Sequence, residues 1–232
     1  MASADTKSFA IGSRTRNTAG MIVMQPVLEA LPHADFSLWP VSGDETQGFL
    51  PLSGTLTSPE IGTAVMRIAA CNDIDPDAHG DDRPPRPADP LGSFLHGLLT
   101  FDTPYAAGGM QVTDTTTGTT FLPGCCNGLE EWRDWFEVLD GSGSAGFGHD
   151  PDPLAERLGD TVRLTADAEQ PDSPVIELPA ADLRRLLAGA ERDLVAFLGA
   201  ATEWTSRYLP DHALPVTGAL ATALALPTLP TP

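Results

Sequence analysis

The chain has 232 residues, 41% of them hydrophobic, enough for a proper core, and its 32 acidic residues against 13 basic ones give a net charge of −19. Such a charge repels phosphate backbones and anionic lipid surfaces, so neither direct nucleic-acid binding nor membrane binding is expected. Three cysteines do not make a secreted disulfide scaffold and fit a reducing cytoplasm, and no apolar run approaches the roughly 20 residues needed to span a bilayer.

Residues 1–20 are polar and patternless and read as a flexible tail, with Met21 as an alternative start. The apolar run from Met21 to Met24 is too short for a signal-peptide core. Residues 21–56 hold short apolar runs broken by Pro and Gly, which read as short strands and loops. Ser58-Pro59-Glu60 has the chemistry of a helix start, and Ile61, Ala64, Val65 and Ile68 continue it at helical spacing.

Residues 72–90 read as an acidic, flexible loop. Asp73, Asp75 and Asp77 alternate as at the start of a calcium loop, but Ala78 stands where that loop needs Gly and Pro84 where it needs Glu. Asp89-Pro90 opens the next helix, with Leu91, Phe94, Leu95, Leu98 and Leu99 as its apolar face and His96 in a structural role. Residues 108–122 alternate around a Thr/Gly turn and predict a hairpin.

Pro123-Gly124 then turns the chain, Asn127 reads as a helix N-cap, and Glu130 completes a capping box. Leu129, Trp132, Phe136 and Leu139 make one apolar face, which Trp135 and Val138 widen. Cys125 and Cys126 stand just before this helix. They are either two small buried residues in a tight turn or a reactive thiol site whose pKa the helix N-terminus lowers, with Glu130 and Glu131 opposing that shift.

Gly141, Gly143 and Gly146 spell G-x-G-x-x-G, but they follow a helix instead of a strand, so no dinucleotide site is expected. His149-Asp150 invites an acid/base or metal reading, with Cys71, Cys125 or Cys126 as further ligands. No C-x-x-C or H-x-x-x-H spacing supports it, so neither a metal nor a cofactor is expected. The plainer expectation is a short helix capped by Asp152, with Pro153 at its first position and Gly159 as its stop. Residues 161–166 and 175–178 read as strands, 180–209 as a long helix stopped by Pro210, 217–226 as a last apolar helix, and 227–232 as a tail.

The expected architecture is one α+β domain over residues 21–226, with several helices on a small, mostly antiparallel sheet. The stretches GGMQVTDTTTGTTFLPGCCNGLEEWRDW, GFGHDPDP and IELPAADLRRLLAGAERDLVAFL resemble an uncharacterised group of acidic actinobacterial proteins with no known activity. The resemblance covers roughly residues 90–210, implies a cytoplasmic protein and transfers no catalytic residue. The order of short strands followed by a helix is also similar to the immunity proteins of the SMI1/KNR4 type, a similarity of element order only.

Three functional expectations follow. The first is a non-enzymatic binding protein, immunity-like in its sharpest form, that captures a basic protein partner through Glu130, Glu131, Asp134 and Trp135. The second is a thiol- or metal-dependent enzyme or redox sensor using Cys125, Cys126 and His149. The third is an assembly subunit with Trp132 or Trp135 in an interface, the oligomeric state being open.

Overall fold

The computed structural model describes residues 21–30, 35–43, 48–76 and 82–227. The expected tail at 1–20, residues 228–232, and Asp77 and Ala78 of the calcium-like stretch lie outside the described residues. Among the described residues, five α-helices and two four-stranded antiparallel sheets form an α+β fold.

The first sheet centres on β1 (Ile22–Ala30), which pairs with β2 (Gly48–Pro51) on one side and β3 (Gly108–Asp114) on the other. β4 (Thr120–Phe121) adds to β3 as the expected hairpin. Proline in a central strand needs an explanation, since it cannot donate to the ladder. Pro26 faces the side where β2 has already run out, and its carbonyl accepts instead from the Leu52 N–H at 2.8 Å.

Two helices follow β2. α1 (Ser58–Cys71) starts one residue earlier than its Ser-Pro-Glu signal suggested: Thr57 is the N-cap, and both its N–H and its hydroxyl donate to the Glu60 carboxylate at 2.7 and 2.6 Å. α2 (Pro90–Thr100) is capped by Asp89, which accepts from the Gly92 N–H. The described part of the acidic loop is tied down instead of free. Arg86 pairs with Asp73 and Asp75, Arg83 stacks on Phe101 at 3.9 Å, and the His96 Nε2–H donates to the Pro84 carbonyl at 2.7 Å.

After β4 the chain makes a 3-10 helix at Leu129–Asp134 and a short α3 (Trp135–Asp140). The expected capping box does not form. The Asn127 amide donates to the Gly108 carbonyl at 2.6 Å and the Glu130 carboxylate accepts from the Ala106 N–H at 3.2 Å, so both side chains serve the neighbouring strand connection.

The second sheet is a meander of β5 (Ser144–Gly146), β6 (Leu154–Leu158), β7 (Thr161–Thr165) and β8 (Val175–Pro179). Here the expectation of a helix capped by Asp152 is corrected. Pro153 precedes a strand, and Gly159, at φ +68°, makes the β6–β7 turn. Asp-Pro before and Gly after bound a hairpin strand as well as they bound a helix, and pairing on both edges of β6 decides.

α4 (Ala180–Tyr208) runs from the second sheet to pack on β1 and on α5 (Ala213–Ala223). Leu183, Leu187, Leu194, Phe197 and Leu198 of its stripe are buried, in one hydrophobic core that also takes in residues of both sheets. No described helix is long and apolar enough to cross a membrane.

Candidate metal centre

The site is built on a small aromatic cluster. Phe121 ends β4, Phe147 follows β5, and both pack on the Trp135 ring of α3, with Phe147 stacked at 4.2 Å and Phe121 edge-on at 5.6 Å. From these anchors two chain segments run outward side by side, one through Gly124 to Cys125 and the other through Gly148 to His149. The Gly124 N–H donates to the Phe147 carbonyl at 2.9 Å. Cys125 and His149 then exchange backbone hydrogen bonds of 2.6 and 3.1 Å.

This close approach needs both glycines. A Cβ on Gly124 would lie 2.3 Å from the Pro151 carbonyl oxygen, and one on Gly148 2.6 Å from the Cys125 carbonyl oxygen, with Gly148 itself at φ +102°. Cys126 takes the left-handed conformation at φ +62°, which costs a non-glycine residue on the order of 1 kcal/mol. Beyond it Asn127 is fixed at both ends. Its amide is bound to Gly108, and its carbonyl accepts from the Tyr105 hydroxyl at 2.9 Å.

As a result Cys125, Cys126 and His149, all exposed, offer ligand atoms that lie within 4.8 Å of one another. The two sulfurs are 3.5 Å apart. Zinc–sulfur bonds of about 2.3 Å at a tetrahedral angle place two sulfurs about 3.8 Å apart, and a sulfur and a nitrogen about 3.6 Å apart. The sulfurs already stand near that spacing, and the exposed imidazole needs to close by about 1 Å.

Asp150 Oδ2 lies 3.3 Å from His149 Nδ1. When Nδ1–H donates to Asp150, Nε2 carries the free lone pair, the arrangement in which a carboxylate orients a metal-binding histidine.

The structure corrects both sequence readings of the cysteines. They are not buried, and Cys125 is not a thiolate favoured by a helix N-terminus. The thiol of Cys126 beside it pushes the Cys125 pKa up, with the Glu29 carboxylate adding to the effect. No α-helix begins at the cysteines, since the 3-10 turn starts at Leu129 and α3 only at Trp135. Two thiolates this close repel each other, so a cation between them favours ionisation of both.

Cys71, at the end of α1, does not join the group. It is half-buried, and burial pushes its thiol up. Burial also raises Glu130, and burial together with that carboxylate raises the Tyr105 phenol.

The four residues expected to meet a partner separate. Glu131 and Asp134 are exposed, Glu130 is half-buried against Ala106, and Trp135 is 1% exposed and holds the aromatic cluster, so its ring is not a surface contact. Trp132 is buried too, its Nε1–H donating to the Leu224 carbonyl at 3.0 Å.

The comparisons with models of known protein families, with curated proteins and with solved structures find no match for this chain.

Proposed function

We propose that this protein binds a zinc-class metal ion through Cys125, Cys126 and His149, leaving one coordination position for a ligand. The observation that carries this reading is the gathering of two thiols and an imidazole within 4.8 Å on backbones that are hydrogen-bonded to each other. Two sulfurs and a nitrogen suit zinc and disfavour magnesium or calcium, which take oxygen. Three protein ligands with an open fourth position are the pattern of metal sites that act on a bound molecule, whereas purely structural zinc sites close with four. Exposure of all three side chains gives the ion a way in.

The test is a zinc competition titration against a chromophoric chelator under reducing conditions. One ion per chain is expected. Cys126→Ser and His149→Ala are each expected to weaken binding by at least about 100-fold, and Asp150→Asn by about 10-fold to 100-fold. Equal zinc binding by the native protein and a Cys125→Ser, Cys126→Ser, His149→Ala triple variant would overturn the reading.

A second reading, capture of a basic protein partner, is favoured by one local feature. Glu131, Asp134 and Glu137 recur every third residue along the 3-10 turn and α3, and all are exposed. With the net charge of −19, this ridge favours salt-sensitive association. Poly-arginine serves as the probe. Neutralising these three carboxylates is expected to weaken low-salt binding more than neutralising Glu156, Asp160 and Asp172. Equal losses from the two triple variants would show that net charge acts without a face.

A further inference from the structure

A cleft of about 230 Å³ opens beside Cys125. Cys125 and Asp150 belong to its wall as well as to the metal centre or its surroundings. Phe49, Leu122 and Pro151 supply apolar surface, and Glu29 supplies a carboxylate. Glu29 and Phe49 are direct partners in the β1–β2 ladder, so their side chains leave the sheet on the same face. The cleft is smaller than the roughly 300–1,000 Å³ of sites that take drug-sized molecules, so its occupant is smaller than those.

Charge sets the kind of occupant. A divalent ion held by two thiolates and a neutral imidazole has no net charge, which leaves the Glu29 and Asp150 carboxylates to dominate the cleft. Glu29 and Cys125 line the same cleft, which places that carboxylate within electrostatic reach of the ligands. A small anion entering here meets repulsion, and a small cation meets attraction.

Building on the metal reading, we infer that the cleft beside Cys125 binds a compact organic cation, an amine that also carries a neutral metal-binding donor. The donor takes the open coordination position, the carbon body lies against Phe49 and Leu122, and the ammonium group meets Glu29. The apolar wall rewards a carbon body that a bare metal ion or a water molecule lacks, and Glu29 supplies the sign of the preference.

The test uses the Co²⁺-loaded protein, whose visible and thiolate charge-transfer bands report the ion's ligands. Histamine and imidazole-4-acetate serve as probes of similar size, the same donor and opposite charge. Histamine is expected to shift the spectrum with an affinity at least about tenfold above that of imidazole-4-acetate. Glu29→Gln is expected to shrink that ratio towards unity, and Phe49→Ala to weaken both probes. An unchanged Co²⁺ spectrum with either probe, or equal affinities for the two, would overturn the inference while leaving the metal centre standing. Absence of thiolate-to-cobalt bands before any probe is added would instead sink the metal reading, and the cleft proposal with it.

Discussion

Replacing Trp135 with alanine is expected to lower stability by about 3–5 kcal/mol and to remove the metal site at the same time. The ring is 1% exposed, stacks on Phe147 at 4.2 Å and meets Phe121 edge-on at 5.6 Å. Those two phenylalanines are the last buried residues before Cys125 and His149 respectively, apart from Pro123. Deleting the indole therefore opens a cavity directly beneath the two segments that hold the ligands together. Trp135→Phe keeps an aromatic stack and is expected to lose much less on both counts. Urea denaturation, combined with zinc titration at a temperature where each variant is folded, separates the two effects. A folded Trp135→Ala protein with native zinc affinity would contradict the claim that this ring positions the site.

The second large effect is on pH. Zinc needs both sulfurs as thiolates and the imidazole neutral, so binding displaces protons. The neighbouring Cys126 raises the Cys125 thiol above its usual range, so at neutral pH the ion displaces at least that proton. The sign follows directly: protons compete at low pH, so affinity rises with pH. The slope is at least about tenfold per pH unit through neutrality, and it flattens once pH passes the raised Cys125 value. Chelator competition between about pH 6.5 and 8 measures it. An affinity that does not change over this window would show that the Cys125 thiol contributes no proton and hence no ligand.

Much of the fold is legible in local patterns because those elements depend on local chemistry. Pro59 and Pro90 at helix starts, the alternation through Met110 and Val112, and the long stripe from Leu183 to Phe197 each gave the element found in the structure. The misreadings share one cause. Asn127 and Glu130 have the spacing of a capping box, yet backbone groups of Gly108 and Ala106 claim their side chains from across the fold. Asp152, Pro153 and Gly159 punctuate a strand instead of a helix because β5 and β7 stand on either side to pair with it.

The candidate site follows the same logic. Cys125, Cys126 and His149 are visible as residue types, but no spacing marks them, because α3 and β5 lie between them in the chain. What joins them is the Trp135, Phe121 and Phe147 cluster and the glycines at 124 and 148. In the sequence those glycines look like ordinary turn residues. Only the backbone pairing of Cys125 with His149 shows why no larger side chain fits there. Trp135 shows the complementary limit, since an apolar stripe at a helix start has the same pattern whether it faces the core or a partner.

The most direct measurement of the central claim is X-ray absorption at the zinc edge on protein reconstituted with one equivalent of zinc. The account predicts two sulfur scatterers at about 2.3 Å, with nitrogen at about 2.0–2.1 Å from His149, and loss of one sulfur in Cys126→Ser. A shell made only of nitrogen and oxygen, identical in the native protein and in Cys126→Ser, would contradict it.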